Sequence, residues 1–219
     1  LDEIESATIA VKRATERAMV ISDLPYGTYH VSPKETVTNA LRLMKHGGAE
    51  AIKLEGGKNR VKLVKRLVNE EIPVVAHIGL TPQSVYKLGG YRVQGRTAEQ
   101  AKRLIEDAKA LEEAGAFAIV LELVPREVAE IITKEVKIST IGIGAGSECD
   151  IQVLVLHDLL GMTFGRQPRF VRKYADLRQI MTESIQTWTN DVKNGNYPNE
   201  SESYGLTAET KAELENLLK

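Results

Sequence analysis

Cysteine is almost missing from this chain of 219 residues: Cys149 is the only one, so no internal disulfide can form and no CxxC metal or redox site exists. That fits a reducing compartment and predicts a cytoplasmic protein. A charge excess is also missing. Lys and Arg total 29 against 30 for Asp and Glu, a formal net charge of -1, which disfavours a general nucleic-acid binder held by phosphate neutralisation. No window approaches the roughly 18 uninterrupted apolar residues that a membrane helix needs, so no membrane span is expected. The opening LDEIESATIA is acidic and has no apolar core, unlike a signal peptide. What is present is ordinary for a folded domain with a sizeable core: 42% apolar and 27% charged residues.

Helical patterns and short apolar runs alternate along the chain. Apolar residues at helical spacing between 4 and 17 lead into MVISDLP, Met19 to Pro25. SPKE, Ser32 to Glu35, has the form of a capping box with Pro33 at the first helical position. The helix it opens stops at Gly47-Gly48. Strand AIKLEGG (51–57) follows, then a helix over about 60–70 and the strand PVVAHIGL (73–80). Thr97 and Gln100 open another helix, which ends at Gly115. Strand FAIVLELV (117–124), helix PREVAEIITKEV (125–136), strand STIGIGAG (139–146) and the apolar run QVLVLHDLLGM (152–162) complete the series.

Six strands with intervening helices predict a parallel α/β architecture, either a doubly wound sheet or a (β/α)8 barrel. The barrel is favoured because Asp23, Glu55, His77 and Glu122 each fall near the carboxyl end of a different strand, where barrels place reactive groups. With Leu1 in the place of an initiator methionine, the expectation is one barrel domain, 1–219, from which two N-terminal strands are missing. Residues 163–219 are more polar and read as a helical appendage. GAEAIKLE (48–55) and GAFAIVLE (115–122) align without gaps and predict equal heights for Glu55 and Glu122.

Period two along a strand puts Lys53 and Glu55 on one face. A charge in an apolar parallel strand costs several kcal/mol, roughly as buried ions do in general, unless it is paired or holds a metal. Asp23 and Glu55 are candidates for a hard cation such as Mg²⁺, which needs only one or two carboxylates besides water and substrate; each alone would serve equally as a cap for a loop or helix. Glu122, followed by Leu123, Val124 and Pro125, suits a general base, or else a buried partner for Lys53. His77 is either a donor to a substrate oxygen or a hydrogen-bonded core histidine. GIGAG (142–146) is a weak phosphate-loop candidate, without the GxGxxG pattern. KNRVKLVKR reads as the solvated face of an amphipathic helix, and Cys149 as structural.

The words SDLPYGTY, AIKLEGG, PVVAHIGLTPQS, GGYRVQGR, LELVP, IGIGAG and VLHDLLGM, in this order and spacing, closely resemble the ketopantoate hydroxymethyltransferase family. The likeness runs from about Ala10 to about Pro198. It implies a (β/α)8 barrel of the phosphoenolpyruvate-binding type, Mg²⁺, and transfer of a one-carbon unit from 5,10-methylenetetrahydrofolate to 3-methyl-2-oxobutanoate, giving ketopantoate for pantothenate biosynthesis. It also implies a homo-oligomer, typically a decamer. By motif, Asp23 and Glu55 correspond to metal-site acids, Asp23, Lys53 and His77 to substrate-contacting residues, and Glu122 to the proposed base. A further acidic ligand and its adjacent serine, carried by the family in a GDS segment, have no counterpart here. Two other readings remain at this point: a Mg²⁺-dependent lyase or mutase of the phosphoenolpyruvate/isocitrate lyase barrel group, and a non-catalytic structural fragment.

Overall fold

A computed structural model describes all residues 1–219. The chain divides into two compact units, Leu1–Leu154 and Val155–Lys219. The first unit carries six strands: β1 (Ile21–Asp23), β2 (Ala51–Glu55), β3 (Val74–Gly79), β4 (Ala118–Glu122), β5 (Ser139–Ile143) and β6 (Ile151–Gln152). They lie in sequence order in one sheet, every neighbouring pair parallel. The sheet curls into a half-barrel. Its helices are α1 (Asp2–Ala14), α2 (Pro33–Lys45), α3 (Val61–Asn69), α4 (Val85–Leu88), α5 (Ala98–Glu113) and α6 (Arg126–Glu135). The second unit holds α7 (Leu156–Leu159), α8 (Leu177–Asn194) and α9 (Ala208–Leu217). No helix is long and apolar enough to cross a membrane.

The expected strands all form, but shorter than their apolar runs. FAIVLELV pairs only over Ala118–Glu122, and QVLVLHDLLGM contributes only the end of the two-residue β6 before the chain turns into α7. The apolar residues beyond each strand finish loops and helix starts, which hydropathy alone does not separate from a strand. The cap on α2 is half of the expected box: Ser32 Oγ accepts from the Glu35 N–H at 3.1 Å, and Pro33 occupies the first turn, where a missing N–H costs nothing.

Register sorts side chains onto two faces. Ile52, Leu54, Val74, Ala76, Ile78, Ile119 and Leu121 point one way and pack beneath the helices with Leu43, Val64, Leu67, Leu111 and Ile132. Alternate residues point the other way: Asp23 is aligned with Lys53, Glu55 with His77, and Gly79 with Glu122. Thus one strand residue in two supplies the core, and the residue between faces the hollow of the curl. Glu55 and Glu122 share that face but not a row. The row through Glu55 and His77 reaches Val120, and Glu122 lies two residues further along, the stagger a tilted, curled sheet imposes.

Candidate functional site

Asp23, Glu55 and Glu122 are the last residues of β1, β2 and β4, and His77 sits within β3. All four, with Lys53, come together on the face away from the helices. Lys53 Nζ is 2.7 Å from Asp23 Oδ2 and 3.4 Å from His77 Nδ1. An ammonium has no lone pair, so the second contact makes Nδ1 the acceptor and puts the ring proton on Nε2. That Nε2 is buried without a hydrogen-bond partner, although Glu122 Oε2 lies 3.3 Å away, outside hydrogen-bonding geometry. Glu55 Oε1 stands 3.9 Å from His77 Nδ1, and Glu55 Oε2 accepts the Gln83 N–H at 3.0 Å. The pairing of Lys53 is therefore with Asp23 and His77, not with Glu122 as its alternative reading required.

Glu55 is 4% exposed, and burial pushes its carboxyl above the ordinary glutamate range, against the opposing pull of His77 and Lys53. Tyr29, 3% exposed, is pushed well above the usual phenol range, chiefly by burial and then by the Glu55 charge. The backbone around Glu122 is specialised as well. Leu123 adopts φ +47°, a left-handed conformation that few non-glycine residues take, and turns the chain directly after the carboxylate. Gly79, at φ +90°, lies against it: a Cβ there would come within 2.3 Å of the Glu122 carbonyl oxygen.

The donor set fits a hard cation. Asp23 Oδ1 is buried and accepts no hydrogen bond. An orphaned carboxylate oxygen of this kind costs about 1–3 kcal/mol unless something positive meets it. No three His, Cys, Asp or Glu side chains gather around one point, so a cation here would take at most two protein carboxylates, the sparse ligation with which Mg²⁺ keeps room for water and substrate oxygens.

Three neighbours escaped sequence reasoning. Gln83 donates from Nε2 to the Leu24 carbonyl at 2.9 Å and accepts from Tyr29 Oη at 2.8 Å. Arg60, expected among the solvated basic residues of KNRVKLVKR, instead donates to the Glu55 carbonyl at 3.2 Å and lies 4.7 Å over the Tyr29 ring. Lys58 of that run does face solvent, paired with Glu106 at 2.6 Å. The TPQS and DLPYGTY words contain Gln83 and Tyr29, but uncharged polar residues in loops carry no periodicity to flag them.

The GIGAG loop is no phosphate cradle: it leads into β6, not into a helix whose N-terminal amides would hold an anion. Its Gly142 makes room for Cys149, whose Sγ would stand 2.9 Å from an added Cβ. An open cleft of about 350 Å³, lined by Met19, Val68, Ile72, Pro73 and Phe117, lies at the amino ends of the strands, away from the carboxylates.

A parallel α/β half-barrel with lysine, histidine and carboxylates gathered toward the carboxyl ends of its strands has the form of an α/β enzyme. Comparison with known proteins narrows the class. Residues 1–200 match the model of ketopantoate hydroxymethyltransferase, and the chain belongs to that family. It is 53% identical over 215 residues to the 3-methyl-2-oxobutanoate hydroxymethyltransferase of Koribacter versatilis, covering 98% of this chain and 73% of the relative. It is 50% identical to the protein of the same name from Clostridioides difficile, covering 99% and 78%. Among solved structures it resembles phosphonopyruvate hydrolase, with a TM-score of 0.50 at 12% identity over 98% of this chain and 75% of that one. A putative phosphonomutase from Burkholderia cenocepacia also gives 0.50 at 12% identity, over 88% and 77%. At such identity the structural likeness concerns the fold alone.

Proposed function

We propose that this protein transfers a hydroxymethyl group to 3-methyl-2-oxobutanoate, forming ketopantoate for pantothenate biosynthesis, with 5,10-methylenetetrahydrofolate as the one-carbon donor. Family membership across residues 1–200 is the observation that carries this reading. The finer architecture proposed with it is a (β/α)8 barrel of which the six strands form a contiguous arc, working as a homo-oligomer, a decamer by family resemblance, in the cytoplasm. The sequential parallel order of the strands and the fold likeness to phosphonopyruvate hydrolase support the barrel.

In this reading the Lys53 ammonium holds the substrate carboxylate, and His77 Nε2–H, which has no protein acceptor, donates to a substrate oxygen. Glu122, with a carboxylate oxygen near that same nitrogen, removes the single proton on C3, which is acidified by the adjacent keto group. C3 then bonds to the methylene carbon, both carbon–nitrogen bonds of that carbon to the folate break, and one water supplies the hydroxyl oxygen. Thus 3-methyl-2-oxobutanoate, methylenetetrahydrofolate and water give ketopantoate and tetrahydrofolate, the C3 proton ending on a folate nitrogen. Asp23 and Glu55 would hold Mg²⁺, Asp23 through its unpartnered Oδ1. When bound, the cation supplies Lewis-acid polarisation of the 2-oxo group.

The test is formation of ketopantoate from 3-methyl-2-oxobutanoate and methylenetetrahydrofolate with Mg²⁺. Product that depends on all three supports the reading. Turnover of a phosphonate or 2-methylisocitrate-type substrate, with no ketopantoate formed, would transfer the protein to the lyase and mutase group.

A further inference from the structure

Gln83, in the 3-10 turn Pro82–Ser84 after β3, reaches both the segment after β1 and the end of β2. Its main-chain N–H donates to Glu55 Oε2 at 3.0 Å. Its side-chain Nε2 donates to the carbonyl of Leu24, the residue after Asp23, at 2.9 Å. Its side-chain oxygen accepts from Tyr29 Oη at 2.8 Å, which fixes the amide so that nitrogen, not oxygen, faces Leu24. Tyr29 is in turn held by Arg60, which lies over its ring and also bonds the Glu55 carbonyl. One residue therefore ties the end of β1 to the side chain that ends β2. Besides that tie, the end of β1 is held by its short strand pairing, by the Leu24 N–H donating to the Lys53 carbonyl at 3.0 Å, by burial of the Leu24 side chain and by the Asp23–Lys53 ion pair.

We propose that Gln83, oriented by Tyr29, is a positioning residue that sets the Asp23 carboxylate against the Glu55 carboxylate at the spacing a divalent cation needs. The inference rests on the reading above that these two acids hold the cation. Gln83 touches neither cation nor substrate. It acts through the Leu24 carbonyl on one side and the Glu55 carboxylate on the other. Outer partners of this kind typically govern affinity strongly, because a ligand that must first be brought into place binds less tightly.

Mn²⁺, whose free form is read directly by electron paramagnetic resonance, serves as the probe with the whole chain. Gln83→Met keeps volume and the main-chain N–H but removes both side-chain bonds, and should weaken Mn²⁺ binding about 10-fold. Tyr29→Phe keeps the ring beneath Arg60 and removes only the hydroxyl; it should weaken binding about three-fold, as the loss of one neutral hydrogen bond does. Excess Mg²⁺ should recover most of the turnover in both variants. Unchanged Mn²⁺ affinity in folded Gln83→Met, with only a lower melting temperature, would overturn the positioning role and leave a merely structural one. Should Gln83→Met fail to fold, Tyr29→Phe decides in the same way. Absence of Mn²⁺ binding by the unaltered chain would remove the cation reading itself and this inference with it. Binding by the unaltered chain with equal binding by the variants overturns this inference alone.

Discussion

The two faces of the same sheet are built from neighbouring residues and obey opposite rules. On the helix side Ile52, Leu54, Ile119 and Leu121 are at most 1% exposed and belong to the apolar core. On the hollow side the alternate positions Lys53, Glu55, His77 and Glu122 carry charge or a titratable ring, and two polar atoms there, Asp23 Oδ1 and His77 Nε2, are buried without partners. Such groups detract from stability unless a ligand completes them. The first face accounts for folding, the second gathers the groups proposed to carry the chemistry, and period-two geometry lets one strand serve both.

This division predicts separable defects. The largest is on the helix side: Leu121→Ala should cost about 2–5 kcal/mol of stability, the usual consequence of a cavity in a filled core. Measured by denaturant unfolding, that loss should come without a change in KM for the folded fraction. On the hollow side Lys53→Met should do the reverse. In the proposed reading it removes a charge-assisted contact to the substrate carboxylate, so KM for 3-methyl-2-oxobutanoate should rise about 10- to 100-fold, while the fold persists in circular dichroism. If KM is unchanged, Lys53 serves Asp23 and not substrate.

Ser32→Ala removes the side-chain cap of α2, whose Ala40 and Leu43 are fully buried in the core, and should cost about 1 kcal/mol with kinetics intact. The smallest effect has the most telling sign. The raised carboxyl of Glu55 makes the folded state hold its proton more tightly than the unfolded chain does. Its contribution is therefore fully present below the unfolded value, near 4.5, and is lost as pH rises through the folded value. Glu55→Gln, which keeps an acceptor for the Gln83 N–H, should match or exceed the parent's melting temperature at pH 7 to 8, and the advantage should shrink as pH falls through the raised folded value and be gone below about 4.5. A variant less stable at neutral pH than at pH 4, relative to the parent, would show that ionised Glu55 is stabilising. Activity in that variant should fall regardless, the trade between stability and function expected of a charged site.

The strands and the acids were legible in the sequence for one physical reason: a charged residue inside an apolar strand is conspicuous, as in KLE, AHI and LEL. Helix ends were legible where capping chemistry is local, at Ser32 and Thr97. The supporting shell was not. Tyr29 and Gln83 meet across 54 residues and Gln83 reaches Leu24 across 59, separations that no local pattern encodes. Arg60 was assigned to solvent because a basic run on a helical period reads as an outer face, whereas its stem turns inward from the short 3-10 turn before α3. The apolar continuation beyond β6 failed as strand because a run of that kind fits helix and loop equally well.

The most direct test follows the C3 proton of 3-methyl-2-oxobutanoate in deuterated solvent by NMR, with Mg²⁺ and without folate. The unaltered protein should catalyse its exchange. Glu122→Gln, with a melting temperature near the parent's, should lose that exchange by about 10²- to 10⁴-fold, the usual worth of a general base, and still bind the substrate. Exchange at the parent's rate in the folded Glu122→Gln protein would contradict the assignment of chemistry to this face through Glu122.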